Sequence, residues 1–564
     1  MQEKPIIYQV FTRLFGANSK QNVVWGTPEQ NGCGKLADFT QKALEEIKSL
    51  GCTHIWYTGI IEHATQTDYT EFGIRRDHPA VVKGRAGSPY AIKDYYDIDP
   101  DLATKVPLRM KEFDNLVRRT HKAGLKVIID FVPNHVARQY HSDVKPAGVQ
   151  DLGETDNKKV RFSPQNNFYY VPEQQFSPQF SLADAEGNNY VEFPAKATGN
   201  DCFHPCPNKN DWYETVKLNY GIDYDNGCAG HFDPTPDTWH KMLDILLFWA
   251  GHAVDAFRCD MAEMVPCAFW GWAILQVKEQ HPNIQFIAEV YNPNEYRNYI
   301  QNGHFDYLYD KVGLYDTLRS VVNGCSSACA ITSCWQSVDD IHSHMLNFLE
   351  NHDEQRIASP FFAGKAEKGR PALLVSALMR TNPMMVYFGQ ELGEPAANAE
   401  GFSGADGRTT IFDYWTIDTI SRWRNNGRFD GHRLSDEEKA LRQYYANVLQ
   451  ICNSERAIRE GEFFDIMYAN YDNAMMNTHR QFAFLRKADK ELIIVVANFD
   501  DWGAHTSIRI PAHAFEYLGI PTEPSAHIAK DLLTGTAVDI TLNPDFFLEL
   551  TLPPNDGKVL KIRL

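Results

Sequence analysis

The segment RMKEFDNLVRRTHKAGLKVIIDFV, residues 109–132, contains one unit of the pattern that decides the fold. Its first part spaces apolar residues as in an amphipathic helix, and Gly124 is a common helix stop. Its last part, KVIIDFV (126–132), is a short apolar run typical of a buried parallel strand. A helix followed directly by a buried strand is a building unit of α/β folds.

The same kind of strand recurs before residue 458. The further runs are IIYQVF (6–11), THIWYTGI (53–60), AVDAFRCD (253–260), QFIAEV (285–290), FDYLYD (305–310), MLNFLE (345–350) and MMVYFG (384–389). A second helical pattern, DFTQKALEEIKSLG (38–51), also ends at a glycine before a strand. Eight strands alternating with helices predict an α/β fold, the (β/α)₈ TIM barrel.

Two segments depart from this alternation. Residues 134–225 lack helical periodicity, and a structureless loop of that length is uncommon, so they predict an inserted domain after the third strand. From residue 458 the pattern is strand-like and predicts a C-terminal antiparallel β-sandwich over 458–564. The barrel is thus predicted over 1–133 and 226–457. The C-terminal strand predictions are RQFAFLRK (480–487), ELIIVVANFD (491–500), TSIRIP (506–511) and KVLKIRL (558–564).

The net charge and the hydropathy of the chain limit the classes of molecule that it can be expected to bind. The 564-residue chain has a net charge of −18, which argues against nucleic acid and anionic membrane surfaces. No apolar stretch reaches the roughly 18 residues of a membrane span, so no membrane insertion is predicted. A neutral oligo- or polysaccharide fits this charge, and oligomeric state is not predicted. The strand pattern begins near residue 5, which predicts a cytoplasmic protein, or a periplasmic or extracellular one whose leader was removed.

Acidic residues stand at the C-terminal ends of four predicted strands, where barrel enzymes have their active sites. They are Asp130, Asp260, Glu289 and Asp353. Gathering like charges is destabilising, so a convergence of four acids predicts a catalytic rim.

Two of these acids have the surroundings of a nucleophile and a proton donor. Arg258 and Asp260 are two apart on one strand and share a face, and a guanidinium favours an ionised carboxylate. Glu289 lies in an apolar run, which favours the protonated form that a proton donor needs. Adjacent strands lie about 4.8 Å apart, close to the ~5–5.5 Å between the carboxyls of retaining glycosidases.

These residues stand in segments that resemble the four signature segments of glycoside hydrolase family 13, the α-amylase family. The segments are DFVPNH (130–135), DAFRCD (255–260), FIAEV (286–290) and FLENHD (348–353). TVKLN (215–219) resembles a fifth segment, found in the neopullulanase and cyclomaltodextrinase branch. SPYAIKDYYDIDPDLAT (88–104) and GQELGE (389–394) resemble two further family stretches.

The resemblance implies a role for each matching residue. Asp260 would be the nucleophile, Glu289 the general acid/base, and Asp353 the third carboxylate, which grips sugar hydroxyls. Asn134 aligns with a calcium ligand of many α-amylases, so a structural calcium ion is implied, although the chemistry itself requires no cofactor. The predicted substrate-binding residues are Arg258, His135, His352, Tyr90, Asp130 and, at the cleft edge, Trp212.

Two departures weaken parts of this picture. Glu263 and Met264 stand where many α-amylases have a Lys-His pair, which lines the leaving-group side and supports calcium binding. Gly87 stands where α-1,6 and α-1,1 specialists have an aspartate, which disfavours those activities.

The predicted function is hydrolysis of α-1,4-glucosidic bonds in maltooligosaccharides, cyclodextrins or starch-like glucans, by double displacement with retention. One alternative is a 4-α-glucanotransferase, which differs only in the acceptor. Another is a non-catalytic glucan-binding protein on the same scaffold, although such a protein usually lacks one of the three acids. A metal-dependent barrel hydrolase needs a ligand set such as His-x-His after the first strand, and IYQVFTRLF (7–15) has none.

Overall fold

Eight parallel strands close into a barrel in the computed structural model, which describes residues 3–564. We number them β1–β8 in chain order; each pairs with its neighbours in the chain, and β8 closes the ring on β1. The predicted TIM barrel is confirmed, and each strand falls within a predicted run. The strands are β1 Ile6–Phe11, β2 His54–Thr58, β3 Lys126–Phe131, β4 Ala256–Cys259, β5 Gln285–Ala288, β6 Tyr307–Tyr309, β7 Met345–Phe348 and β8 Met384–Tyr387.

Helices surround this barrel. The first long helix begins after Thr40, whose side chain accepts a hydrogen bond from the Ala43 amide, and it buries Leu44 and Ile47. None of the helices within residues 3–564 is long and apolar enough to cross a membrane. The principal helices are Gln41–Ser49, Arg109–Lys122, Asp237–Gly251, Cys267–Gln280, Tyr296–Gln301, Asp316–Val322, Ala330–Ser337, Arg370–Leu378, Asp418–Arg424, Asp436–Ser454 and Arg456–Glu460.

Inward-facing apolar side chains fill the barrel, and inward-facing polar side chains follow them toward the C-terminal ends of the strands. Every strand contributes to one buried apolar cluster: Ile7, Trp56, Ile128, Ala256, Ile287, Tyr309, Leu346, Phe348 and Met385. Because side chains alternate along a strand, the next inward positions after Ile128, Ala256 and Ile287 are occupied by Asp130, Arg258 and Glu289. The barrel therefore has an apolar floor and a charged upper layer.

The inserted segment after β3 is held by three short antiparallel pairs. The first, His135–Ala137 with Thr215–Lys217, brings the end of the segment back beside its start. The others pair Tyr170–Val171 with Ala195–Lys196, and Ile222–Asp223 with Ala229–Gly230. The predicted boundary at residue 225 falls inside this last hairpin, and the next barrel helix begins only at Asp237.

The C-terminal region is an antiparallel β domain, as predicted. A sheet of six strands comprises Glu462–Asp465, Gln481–Ala488, Glu491–Asn498, Asp556–Arg563, Ser525–Asp531 and Ala537–Leu542. Ala504–Ile510 pairs separately with Phe546–Leu552, and the helix Ala512–Leu518 follows the first of these. Four of these strands match the predicted runs. The other four were not predicted; in Ser525–Asp531, for example, most side chains are exposed or half-buried, so no apolar run marks it.

Candidate active site

A buried guanidinium lies at the centre of the charged layer. Arg258 is fully buried, and its Nη1 donates to Oδ1 of Asp260 at 2.7 Å. Its Nη2 contacts Oε2 of Glu289 at 2.8 Å, and its Nε donates to the Tyr309 hydroxyl at 3.2 Å. Asp130 Oδ1 lies 3.6 Å from Nη1. One arginine thus joins acids from three adjacent strands.

The backbone register places the two central acids side by side. The Asp260 amide donates to the carbonyl of Phe131 at 2.9 Å, and the Glu289 amide donates to the carbonyl of Cys259 at 3.2 Å. Each acid is therefore the first residue beyond its strand, and both face the barrel axis above Arg258.

Burial governs the charge of this pair. Burial and the Glu289 charge raise the pKa of Asp260, and Arg258 opposes that rise. The arginine alone predicted an ionised Asp260, but burial has a larger effect on its pKa than Arg258 does. The carboxyl of Asp260 therefore keeps its proton to a higher pH than an isolated aspartate does.

Glu289 has partners on both of its oxygens. Oε2 also accepts from the amide of Met261 at 2.8 Å, and Met261 adopts a left-handed backbone conformation with φ of 44°. The hydroxyl of Tyr291 donates to Oε1. Neither residue was predicted, but Tyr291 lies two positions after Glu289, and strand alternation could have identified it.

The third acid belongs to a chain of polar contacts at the end of β7. His352 Nε2 lies 3.1 Å from Asp353 Oδ2 and 2.5 Å from the Tyr90 hydroxyl, while Gln9 Nε2 donates to Nδ1 at 2.8 Å. Burial and the Arg258 charge lower the pKa of His352 well below its usual value, so the imidazole is neutral. Burial, with the Glu289 charge, raises the pKa of Asp353 to about 7.

His135 and Trp212 border the cavity from the inserted segment. Their rings lie 5.3 Å apart. Burial and the neighbouring Lys217 charge lower the pKa of His135 to about 3, so it too is neutral at working pH. A neutral imidazole and an indole are suited to contact an uncharged sugar.

The residues around Asn134 do not fit a calcium ion. Its Oδ1 accepts a hydrogen bond from Nζ of Lys217 at 3.0 Å, and its Nδ2 donates to the carbonyl of Gly199 at 2.8 Å. Lys217 is 2% exposed, and its Nζ also lies 2.5 Å from Asp201 Oδ1. The oxygens that a cation would need are therefore bound to an ammonium group. The implied calcium ligand Asn134 is better described as a partner of Lys217.

Glu263, the position of the first sequence departure, faces the segment after β5. Its Oε2 accepts from the amides of Tyr291 at 2.9 Å and Asn292 at 3.0 Å. The carboxylate therefore fixes the backbone that carries Tyr291.

A cavity of about 380 Å³ opens above these acids. Six predicted site residues line it: Tyr90, His135, Trp212, Asp260, Glu289 and Asp353. Arg258, His352, Asp130 and Asn134 are not in the lining; they are at most 6% exposed and lie behind it. Their predicted contact with sugar stays a prediction.

The rest of the lining was not predicted. It consists of Lys83, Ser88, Glu214, Thr215, Met261, Tyr291, Phe402, Ile411 and Phe412. Most of these lie in loops that are distant from one another in sequence. A larger cavity, of about 530 Å³, lies elsewhere beside Glu394 and Trp415 and contains none of the predicted site residues.

Two family models match the chain. The model of the alpha-amylase catalytic domain matches residues 9–422, and the model of the alpha-amylase C-terminal all-beta domain matches residues 471–563. Alpha-amylase 3 of Dictyoglomus thermophilum is 23% identical over 524 residues, which span 88% of this chain and 84% of that protein.

Solved structures show the same fold. The noncanonic maltogenic alpha-amylase AmyB from Thermotoga neapolitana superposes with a TM-score of 0.61 at 19% identity, covering 100% of this chain and 99% of that one. The alpha-amylase of Geobacillus thermoleovorans, solved in complex with acarbose, superposes with a TM-score of 0.61 at 17% identity, covering 100% of both chains.

Proposed function

The chain belongs to the alpha-amylase family of glycoside hydrolases, and from this premise we propose that it hydrolyses α-1,4-glucosidic bonds with retention of configuration. The proposed substrates are maltooligosaccharides, cyclodextrins and starch-like glucans. The observation that carries the proposal is the contact of Asp260 and Glu289 with the two terminal nitrogens of one guanidinium.

In the first step, Asp260 attacks the anomeric carbon. Glu289 gives its proton to the glycosidic oxygen, the C–O bond to the leaving sugar breaks, and an ester forms between Asp260 and the remaining sugar. This step needs Glu289 protonated and Asp260 ionised, and the hydrogen bond from Nη1 of Arg258 favours the ionised form of Asp260.

In the second step, water replaces the leaving sugar. Glu289, now ionised, removes a proton from that water, whose oxygen attacks the anomeric carbon and releases Asp260. Two inversions restore the original configuration. Because one guanidinium binds both acids, the carboxyls are held close together, as a retaining enzyme needs.

The remaining lining residues would hold the sugar. Tyr90 packs over the His352 ring at a centroid distance of 5.2 Å and presents an aromatic surface beside Asp353. Asp353 and the neutral His135 can bind hydroxyl groups, and Trp212 offers a second aromatic surface. Acarbose in the Geobacillus alpha-amylase is consistent with an α-linked oligosaccharide as the ligand class.

A 4-α-glucanotransferase would use the same first step and a sugar hydroxyl in the second. The apolar wall of Phe402, Ile411 and Phe412 favours this alternative to the extent that it shields the ester from water. The non-catalytic alternative is disfavoured because all three acids line one cavity.

Product analysis tests the proposal. The protein is incubated with starch, pullulan, cyclodextrin and maltotriose, and the products are resolved by length and, by NMR, by the anomer first released. We expect shorter products released as the α-anomer. Initial release of the β-anomer would contradict retention, and oligomers longer than maltotriose formed from maltotriose alone would identify the transferase.

We also propose that the protein needs no calcium ion at Asn134, since Nζ of Lys217 already binds the side-chain oxygens of Asn134 and Asp201. The chemistry described above uses only side chains of this chain and water.

A further inference from the structure

We propose that Tyr291 is a positioning residue for the acid proton of Glu289, and that Glu263 anchors it there. This inference rests on the proposed function, because it assumes that Glu289 is the general acid/base. It relates Glu263, which stands where many α-amylases have a lysine, to a tyrosine for which no role was predicted.

The two oxygens of Glu289 have different surroundings. Oε2 accepts a hydrogen bond from the amide of Met261 at 2.8 Å and lies 2.8 Å from the positively charged Nη2 of Arg258. A proton on Oε2 would point at groups that cannot accept it. The acid proton therefore belongs on Oε1, and the group in contact with Oε1 is the hydroxyl of Tyr291.

A phenol serves both protonation states of this carboxyl. When Glu289 is ionised, Tyr291 donates its proton to Oε1; when Glu289 is protonated, the phenol oxygen accepts. Burial and the Glu289 charge raise the pKa of Tyr291 well above its usual value, so the phenol keeps its own proton. A glycosidic oxygen that approaches Oε1 takes the place of this hydroxyl, which is half-buried at the cavity wall.

Glu263 sets the position of Tyr291 through the backbone. Its Oε2 accepts from the amides of Tyr291 and Asn292, so the residue after Val290 cannot shift without breaking two hydrogen bonds to a carboxylate. A lysine at position 263 could accept neither bond. The acid at 263 and the phenol at 291 therefore form one arrangement.

Five further titratable groups interact with Glu289 from other barrel strands and their ends. They are Arg258, Asp260, Asp130, Asp353 and Tyr309, and Tyr291→Phe leaves all of them in the chain. Removing the Tyr291 hydroxyl thus changes a single contact of Glu289.

Tyr291→Phe tests the proposal through a pH profile. The hydroxyl bonds the ionised carboxylate more strongly than the protonated one, so its loss favours the acid form of Glu289. The alkaline limb of kcat/KM on maltotriose should therefore move upward by about one pH unit. With α-maltosyl fluoride, whose leaving group needs little protonation, kcat/KM should change less than about threefold. Tyr307→Phe is the matched control, since its hydroxyl contacts Gln285 and not Glu289.

Two variants at position 263 test the anchor. Glu263→Ala should move the alkaline limb in the same direction by a smaller amount, because the hydroxyl remains but is less fixed. Glu263→Gln keeps an oxygen that accepts from both amides and should restore the wild-type profile.

The outcomes separate this inference from the proposed function. An alkaline limb that does not move in a folded Tyr291→Phe protein, or that moves equally in Tyr307→Phe, would overturn the inference. If Glu289→Gln keeps wild-type activity on maltotriose, the proposed function itself fails. If Glu289→Gln is inactive and the limb of Tyr291→Phe is unchanged, only the positioning role is rejected.

Discussion

Two buried cations organise two regions of this molecule in different ways. Arg258 lies in the barrel and contacts two acids, Asp260 and Glu289, with separate nitrogens. Lys217 lies in the inserted segment and contacts the amide oxygen of Asn134 and the carboxylate of Asp201 with one nitrogen. The planar guanidinium spaces two reactive groups, whereas the ammonium is a point charge that joins two parts of the chain.

The difference shows which cation the chemistry depends on. Replacing Arg258 should change how two carboxyls share a proton, so it should affect turnover. Replacing Lys217 should leave polar atoms without a partner, so it should affect stability. The predictions below test this division.

The largest effect is expected at the nucleophile. Asp260→Asn removes the attacking oxygen and should lower kcat by about 10⁴-fold or more, measured on maltotriose. The matched control is Asp310→Asn, since Asp310 also follows a barrel strand but binds the Leu314 amide and does not line the cavity. Loss of activity in both variants to the same extent would show that a strand-end acid is structural here.

A smaller loss of activity is expected when lysine, with one ammonium group, replaces the guanidinium of Arg258. Arg258→Lys cannot contact both acids, so kcat/KM should fall by roughly 10²–10³-fold, equivalent to about 3–4 kcal/mol. Arg486→Lys is the control, because this buried arginine donates to backbone carbonyls such as Leu378 and Met379. The control should lose thermal stability and keep its turnover. Normal turnover in Arg258→Lys would contradict the claim that the chemistry depends on Arg258.

The acid limb of the pH profile should show the crowding of the two carboxyls. Asp260 must be ionised to attack, and burial with Glu289 raises its pKa, so activity should fall with decreasing pH at values above the ordinary aspartate pKa of about 3.9. Glu289→Gln removes one charge, so the acid limb of its residual reaction with α-maltosyl fluoride should move to lower pH by about one unit. A limb that stays in place would mean that burial and Arg258 determine the protonation of Asp260 and that the Glu289 charge contributes little.

The smallest effect on activity is expected at Lys217. Lys217→Met leaves Asn134 Oδ1 buried without a donor, which should lower the free energy of unfolding by about 1–3 kcal/mol, seen as a lower apparent melting temperature. Turnover of the folded protein should change less than about threefold. Lys209→Met, which removes an exposed ammonium of the same segment, is the control and should leave the apparent melting temperature unchanged.

A chelator sharpens the same prediction. Because Nζ of Lys217 binds the oxygens of Asn134 and Asp201, no chelator-induced fall in the apparent melting temperature should depend on Asn134. The buried carboxylates of Glu62, Asp94 and Asp97 lie close enough together to hold a cation elsewhere, so the wild type is compared with Asn134→Ala. A fall that calcium restores in the wild type and that is lost in Asn134→Ala would contradict the description of this site.

The barrel and its acids were predictable because both follow from short-range rules. Apolar runs of strand length marked all eight strands, and the C-terminal ends of those strands identified Asp260 and Glu289 as neighbours. Tyr291 follows the same alternation and was predictable in principle.

The surroundings of Asn134 and the apolar part of the cavity lining could not be predicted, because they depend on contacts between distant parts of the chain. The bond between Lys217 and Asn134 joins residues 83 apart, and it forms because His135–Ala137 pairs with Thr215–Lys217. No local pattern specifies that pairing. Phe402 and Phe412 reach the cavity on a loop after β8 whose path is set by tertiary packing.

Trapping of the covalent intermediate tests the central claim most directly. Glu289→Gln is mixed with α-maltosyl fluoride, which can form the ester without acid assistance but leaves a protein that lacks the base to hydrolyse it. Intact mass and peptide mapping then locate the adduct. The account predicts one maltosyl unit on the peptide that contains Asp260, absent in Asp260→Asn. No adduct, or an adduct on Asp353 or another acid, would contradict it.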